Sequence, residues 1–235
     1  MFSEQYGLQQ AVLEGRKTMT RRPLSKRAQD LLDAYTKGVC VVPECAIPDG
    51  VSIEEFAEQF AKYPGKVVIT RKDTEATFTP SKEEILEKVL TYSTYKVGDV
   101  VAIAQRYSDI MPYLADSFYQ SSPDYMKNKP GYKNKMYVNA DLMPNKIRIT
   151  KVRIERIQDI SEDDCLREGI YETEHHSFGY PPSERQKTFH TKIYERYDAF
   201  STPKNAFAAL INKLSGRKAW DDNPCVFVYE FELVK

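Results

Sequence analysis

The feature that most constrains the fold is a long segment near the middle of the chain, residues 146–157, in which apolar and polar residues alternate. Alternation with a period of two predicts a β-strand with one buried face. Ile147 and Ile149 share one face, whereas Val152 and Ile154 share the other, so the apolar face changes side along the strand. A β-bulge produces such a change and bends the strand, as a small β-barrel requires.

Other segments supply partners for this strand. Residues 97–104 contain a continuous apolar run that predicts a strand covered on both sides, and residues 225–234 alternate as a closing strand. Apolar spacing together with capping residues predicts helices over residues 4–14, 161–169 and 202–215. The expected fold class is therefore α+β, a small, mostly antiparallel barrel packed by helices.

The length of 235 residues allows one decorated domain or two small ones, and we expect a single domain over residues 1–235. Three regions lie outside the barrel pattern and are interpreted as insertions, at about residues 24–94, 108–144 and 171–201. The first has its own pattern, since Ser25, Ser52 and Ser81 are predicted N-caps of helices and residues 66–79 are predicted to form a hairpin.

Charge is balanced overall but not locally. Lys plus Arg and Asp plus Glu each total 34, which argues against a protein that coats duplex nucleic acid by bulk charge. Residues 15–27 nevertheless contain six cations and no acid, and residues 161–174 contain six acids and one cation. We therefore expect one basic patch and one acidic patch.

Cysteine and histidine give no metal signature. The four cysteines are scattered without a Cys-x-x-Cys pair, and His175, His176 and His190 lie in a polar region without further ligands at suitable spacing. We expect reduced thiols, no metal and no cofactor. Because no apolar run approaches the length of a membrane span or a secretory h-region, a cytoplasmic protein without a membrane partner is expected, of undetermined oligomeric state.

The segment that most clearly indicates a functional site is residues 15–23, Gly-Arg-Lys-Thr-Met-Thr-Arg-Arg-Pro, called the basic stretch below. Gly15 is predicted to end the first helix in the left-handed region, and Pro23 prevents further helix. The stretch resembles the signature of the ASCH family, relatives of the RNA-binding PUA fold, whose phage-related members have Gly-Arg-Lys-Thr-x-Thr-Arg-Arg-Pro. The resemblance extends over four blocks, residues 1–23, 95–107, 145–170 and 205–234.

This resemblance implies a PUA-like small barrel, and a bacterial or phage-related protein that binds RNA or a nucleoside-type molecule. The ligand would lie in a cleft between the basic stretch and the 161–169 helix. Candidate binding residues are the basic side chains of the stretch and the two residues where the family usually continues into a Trp-containing segment; they are Arg16, Arg21, Arg22, Arg106 and Tyr107.

The N4-acetylcytidine amidohydrolases of the family imply an alternative, hydrolysis of a non-peptide C–N bond in an N-acylated nucleoside. Their working groups match Lys17, Thr20 and Glu168. Neighbouring arginines would lower the proton affinity of Lys17, Thr20 would attack or orient water, and Glu168 would relay the proton. Residues 17 and 20 point to opposite faces of a regular strand, so a shared site requires a bend.

Two readings without catalysis stay open. Lys17 and Glu168 could be an ion pair that joins two elements in a structural or interaction protein. The segment 125–137 interleaves tyrosines and lysines, which suits single-stranded nucleic acid but equally a solvated loop anchored by its tyrosines.

Overall fold

The computed structural model describes residues 6–42, 52, 55, 65–71, 74–78, 81–113, 126–172, 178–179, 200–215 and 218–234. The helices are α1 (Leu8–Leu13), α2 (Lys26–Lys37), α3 (Lys82–Leu90), α4 (Tyr107–Ile110), α5 (Glu162–Arg167), α6 (Pro203–Ser215) and α7 (Ala219–Asp222). The strands are β1 (Met19–Pro23), β2 (Val39–Val42), β3 (Lys66–Arg71), β4 (Thr74–Phe78), β5 (Val100–Ala102), β6 (Lys146–Arg156), β7 (Tyr171–Glu172), β8 (Phe178–Gly179) and β9 (Cys225–Val234). Turns of 3-10 helix lie at Met111–Tyr113, Ala140–Leu142 and Ile157–Asp159.

The chain divides into two compact units. The first comprises residues 1–22, 95–224 and 228–235, and the second comprises residues 23–94 and 225–227.

The first unit is built on a four-stranded sheet in the order β1-β9-β6-β5. The sheet is antiparallel and curls into a half-barrel, and with the helices it confirms the α+β class. In β5 and β6 the register pairs Val101 with Ile147. Val100 is 51% exposed because β5 is a short strand at the sheet edge, so the expectation of a strand covered on both sides is wrong for this position.

Helix ends follow the capping residues that the sequence offers. Gly15 has φ +76° directly after α1, as predicted for a glycine that ends a helix. The Ser161 hydroxyl accepts a hydrogen bond from the Asp164 N–H and starts α5. Thr202 caps α6 in the same way.

Residues of the region interpreted as an insertion, 108–144, contribute with Tyr107 to a small separate core. Tyr107, Ile110, Met126 and Met143 are buried together, with partly buried apolar neighbours around them. The Tyr107 N–H donates to the Gly131 carbonyl oxygen over 3.0 Å, which ties the segment that begins at Met126 to α4.

The second unit contains a three-stranded sheet in the order β2-β3-β4. β3 and β4 are antiparallel, which confirms the predicted hairpin, and β2 adds to β3 in parallel, which the sequence pattern did not predict. Ser25 and Ser81 cap α2 and α3 as expected, Ser81 in a complete capping box with Glu84.

Several expectations lie outside the described residues. They are the body of the helix predicted after Ser52 and the three histidines. Among the helices that the structure describes, none combines the length and the apolar character needed to cross a bilayer.

Candidate functional site

Lys17 is buried because the chain folds back on α1 immediately after Gly15. The Lys17 N–H donates to the Ala11 carbonyl oxygen over 2.9 Å, so the side chain starts from a fixed position beside the helix. The residue is only 2% exposed. An ammonium group buried to this degree requires a counterion and hydrogen-bond acceptors.

The end of α5 supplies both. The Gly169 N–H donates to the Leu166 carbonyl oxygen and the Ile170 N–H to the Cys165 carbonyl oxygen, which is the Schellman pattern, with Gly169 at φ +105°. This turn presents Glu168 to Lys17. The Lys17 Nζ lies 2.6 Å from Glu168 Oε2 and 2.7 Å from the Glu168 carbonyl oxygen.

Arg21 extends the contact into a network. Its NH1 donates to Glu168 Oε1 over 3.0 Å, its Nε to Glu155 Oε1 over 2.9 Å, and its NH2 to Asp164 Oδ2 over 3.1 Å. The Arg21 side chain is 1% exposed, and its guanidinium lies 5.8 Å from the centre of the Phe207 ring. Arg21 therefore joins β1, β6, α5 and α6.

Two further arginines close the network on its outer side. Arg153 donates to Glu155, to Glu230 and, over 2.6 Å, to Asp164. Arg167 donates to Glu230 Oε2 over 2.8 Å and to Thr18 Oγ1 over 3.2 Å. We call the whole set the ion-pair cluster; its members are Lys17, Arg21, Arg153, Arg167, Glu155, Asp164, Glu168 and Glu230.

The eight members of the cluster are four cations and four carboxylates, and the exposed Lys151 lies 3.9 Å from Glu230 at the edge of the cluster. Burial lowers the pKa of Lys17, and the charge of Glu168 opposes that shift. Burial acts to lower the pKa of Arg21 as well, but Glu168 and Glu155 outweigh it and raise that pKa. For Glu230, burial acts in the raising direction, whereas the hydrogen bond from Arg167 and the charges of Arg167 and Arg153 bring its pKa below the ordinary value.

The other face of β1 meets a cavity. Met19 and Arg21 are buried on the cluster side, and the alternation of a strand turns Thr20 and Arg22 to the opposite side. There both line a cavity of about 160 Å³, which we call the barrel pocket. Its lining residues are Thr20, Arg22, Tyr95, Val101, Ala102, Ile103, Ala104, Ile147, Ile149 and Tyr229.

The barrel pocket combines buried residues with half-buried polar ones. Ile103, Ile147 and Tyr229 are buried and are called its floor, whereas Thr20, Arg22 and Tyr95 are half-buried and are called its mouth. The Tyr95 and Tyr229 rings pack edge to face, with centroids 5.6 Å apart and planes at 75°. Two tyrosines, a threonine and an arginine thus line one small space.

The three candidate catalytic residues do not lie together. Lys17 and Glu168 are in direct contact, whereas Thr20 lies on the other face of β1, in the barrel pocket. Lys17 precedes β1, which begins at Met19, and within β1 the half-buried Thr20 alternates with the buried Met19 and Arg21. The space between the basic stretch and α5 is occupied by the ion-pair cluster.

The candidate binding residues also separate into groups. Arg22 lines the barrel pocket and Arg21 is at the centre of the cluster. Arg16 is exposed and paired with Glu14, and Arg106 is paired with Asp109. Tyr107, also a candidate binding residue, is buried in a small core at the start of α4, and its hydroxyl accepts a hydrogen bond from the Asn139 N–H.

Sequence reasoning missed the outer cluster residues and the tyrosines of the pocket. Glu230 follows five residues of β9 that carry no charge, and a charge placed in this way is a signal that ion pairs leave in a sequence. Arg153 and Glu155 give no comparable signal, because β6 contains four further charged residues. For Tyr95 and Tyr229 we find no comparable signal, because the chain is rich in tyrosine.

No group of three or more histidine, cysteine or acidic side chains arranged to hold a metal occurs in the part of the chain that the structure describes. In the same part, every buried side-chain nitrogen or oxygen has a hydrogen-bond partner. Comparisons with protein-family models, with curated proteins and with solved structures found no match to this chain.

Proposed function

We propose that the chain binds a nucleobase-bearing ligand, an RNA base or a free nucleoside or nucleotide, in the barrel pocket. The observation that carries this proposal is the convergence of Thr20 and Arg22 of the basic stretch with Tyr95 and Tyr229 on one apolar-floored cavity. A base is flat and aromatic and has polar edges. It is therefore recognised by ring contacts together with hydrogen bonds to those edges.

The size of the cavity supports insertion of a base alone. Pockets that enclose drug-sized ligands measure roughly 300–1000 Å³, and the barrel pocket measures about 160 Å³. A ring system would contact Ile103, Ile147 and Tyr229, while the sugar and phosphate would stay at the mouth. There Arg22 offers donors to a phosphate or a carbonyl edge, and the Thr20 hydroxyl can donate or accept.

The ligand is placed in the barrel pocket because the buried cations of the ion-pair cluster already have carboxylate partners. Lys17 and Arg21 are occupied by carboxylates within the cluster and are buried away from solvent. A ligand phosphate at that position would have to displace a buried carboxylate and leave it without a counterion, which is costly. We therefore assign Lys17, Arg21 and Glu168 to the framework that holds β1 against α5.

The fold family is part of the proposal. We infer a PUA-like fold of the ASCH type from the curled antiparallel half-barrel together with the Gly-Arg-Lys-Thr-x-Thr-Arg-Arg-Pro signature. In this assignment the last five residues of the signature form β1, and the alternating side chains of β1 divide between structure and binding.

Isothermal titration calorimetry with the four ribonucleoside 5′-monophosphates tests the proposal. Arg22→Gln removes a charge-assisted hydrogen bond worth about 1.5–3 kcal/mol, so the dissociation constant of the best ligand should rise roughly tenfold to a hundredfold. Thr20→Val removes a neutral hydrogen bond worth about 0.5–1.5 kcal/mol, and the corresponding rise should be about two- to tenfold.

Arg16→Gln is the matched control, because Arg16 belongs to the same basic stretch but is exposed and paired with Glu14. Its effect on the affinity should stay within about twofold. Absence of binding for all four monophosphates would contradict the proposal. An equal loss of affinity in Arg16→Gln and Arg22→Gln would also contradict it, since binding would then depend on general charge.

Amidohydrolysis of an N-acylated nucleoside is a second candidate, favoured by the contact of Lys17 with Glu168 and by the lowered pKa of Lys17. The reaction would require Lys17 to reach Thr20 across β1. Release of cytidine and acetate from N4-acetylcytidine, measured for wild type and Thr20→Val, tests it. Turnover that Thr20→Val abolishes would favour the enzyme, and no turnover at high protein concentration would exclude this substrate.

A further inference from the structure

A second cavity adjoins the barrel pocket. It has a volume of about 300 Å³, and we call it the loop pocket. Its lining residues are Ala102, Ala104, Lys135, Met136, Tyr137, Val138, Ala140 and Met143. Ala102 and Ala104 line both cavities, so the two are neighbours along β5 and the residues that follow it, and small methyl groups lie between them.

The wall of the loop pocket is held in place at both ends. Met126 is buried in the core beside α4, and Val138 packs against the same core. Gly131, at φ +96°, lies so close to Tyr107 and Val138 that an added Cβ would be 3.0 Å from each side chain. The segment 126–139 is therefore anchored by packing.

Tyr137 is unusual within this anchored segment. Its backbone has φ +64°, a left-handed conformation that a bulky L-residue rarely adopts. Glycine or asparagine would adopt it at lower cost, and strain of this kind concentrates at functional sites. The residue is also 77% exposed, so packing of its ring in the core does not account for the strain. The conformation instead holds a tyrosine ring at the edge of the loop pocket.

The segment that carries this ring is basic. Residues 126–140 contain four lysines and no acidic residue. Lys127, Lys129 and Lys133 are exposed, whereas Lys135 lines the loop pocket and its Nζ donates to Gln9 Oε1. A stacking surface bordered by cations is the arrangement that single-stranded nucleic acid requires, since bases stack on rings and phosphates interact with cations.

We propose that the loop pocket is a second subsite, which takes the nucleotide adjacent to the one in the barrel pocket, with its base stacked on Tyr137. This inference rests on the proposed function and deepens it. The ligand is then a single strand of at least two nucleotides, and a free nucleoside occupies only half of the site. Lys133 and the neighbouring lysines interact with the phosphates of the strand.

Fluorescence anisotropy with a fluorescein-labelled single-stranded RNA 8-mer of random sequence tests the second subsite. Tyr137→Ala should weaken 8-mer binding roughly tenfold, as expected for the loss of one stacked base. Calorimetry with the monophosphates should give an unchanged affinity for the same variant, because Tyr137 does not line the barrel pocket. Tyr137→Phe keeps the ring and should bind the 8-mer as wild type does.

Tyr92→Ala is the matched control, because Tyr92 is an exposed tyrosine of the second unit that lines neither pocket. It should leave 8-mer binding unchanged. A DNA 8-mer of random sequence shows whether the strand must be RNA, and loss of affinity in Tyr137→Ala with either strand supports the subsite.

The outcomes separate this inference from the proposed function. Binding of the 8-mer that depends on Arg22 but is unchanged in Tyr137→Ala would overturn the second subsite and leave the barrel pocket intact. A Tyr137→Ala variant that loses affinity for monophosphates as much as for the 8-mer would also overturn it. Failure of the 8-mer and of all monophosphates to bind would overturn both.

Discussion

Removing the charge of Glu168 is the sharpest test of the ion-pair cluster. Glu168→Gln keeps the size of the side chain and an acceptor oxygen, but it leaves four cations facing three carboxylates. Lys17 is 2% exposed and cannot replace the lost counterion with water. Arg21 loses one of its three acidic partners in the same step.

The magnitude follows from burial. Breaking a buried ion pair by removing one partner costs about 3–5 kcal/mol, and the Glu168 side chain is 5% exposed. The same change in an exposed pair costs about 0–1 kcal/mol. Glu14→Gln provides that comparison, because Glu14 pairs with Arg16 and both side chains are more than 40% exposed. We expect a loss of about 3–5 kcal/mol in Glu168→Gln and less than about 1 kcal/mol in Glu14→Gln.

Urea unfolding followed by tryptophan fluorescence measures both values. Trp220 is the single tryptophan of the chain, and it packs edge to face on Phe207, whose ring in turn contacts Arg21. The signal therefore reports the unit that contains the cluster, even when the second unit unfolds separately.

A double variant completes the test. Lys17→Met combined with Glu168→Gln restores the balance to three cations and three carboxylates. Its loss of stability should be smaller than the sum of the two single losses. Additive losses, or a Glu168→Gln variant within about 1 kcal/mol of wild type, would refute the view that Lys17 depends on Glu168.

Three further predictions concern the surroundings of the site and the second unit. Gly169→Ala adds a methyl group 3.2 Å from a leucine side chain at φ +105°, whereas Gly98→Ala, at φ +94°, meets no atom within 4 Å. Thermal unfolding should show a loss of about 1–2 kcal/mol from backbone strain in both, and a larger loss in Gly169→Ala. Because the pKa of Glu230 is lowered from 4.5, chiefly through Arg167 and against burial, its carboxylate stabilises the fold above that pH, and this stability is lost as the pH falls through the lowered value. Urea midpoints between pH 3 and 6 should therefore fall more steeply in wild type than in Glu230→Gln, and parallel curves would contradict the assignment. Ser81→Ala should lower the stability of the second unit by about 0.5–2 kcal/mol by removing the capping box of α3, measured by far-UV circular dichroism during urea unfolding.

Local patterns in the sequence predicted much of the fold because they reflect local physics. Gly15, Ser81 and Ser161 mark helix ends through backbone conformation and hydrogen bonds that extend over only a few residues. The change of apolar face along β6 is consistent with the contacts, since Ile147 and Ile149 line the barrel pocket whereas Arg153 belongs to the cluster. The parallel addition of β2 to β3 was not predictable, because the pairing joins residues far apart in sequence.

Of the residues that line the barrel pocket, the sequence indicated Thr20 and Arg22 but neither of the two tyrosines. The pairing of Lys17 with Glu168, 151 positions apart, was one of the interpretations that the sequence left open. The opposite charges of the two residues suggested it, but Glu168 was identified only by aligning α5 with the helix of the family. The partition of the basic stretch between two faces is implied by strand alternation, but only once β1 is known to begin at Met19. The pocket tyrosines depend on how β9 and the segment before β5 meet, which local sequence does not encode.

The alternation of β1 has a consequence for mutational screens of the basic stretch. Within β1, Met19 and Arg21 are buried on the cluster side, whereas Thr20 and Arg22 line the pocket. Substitutions from 19 to 22 should therefore produce two phenotypes that alternate along the sequence: poor yield of folded protein at 19 and 21, and normal yield with lost binding at 20 and 22. Insertion or deletion of a single residue immediately before residue 19 would exchange the two sets, and no substitution elsewhere in the stretch would compensate for it.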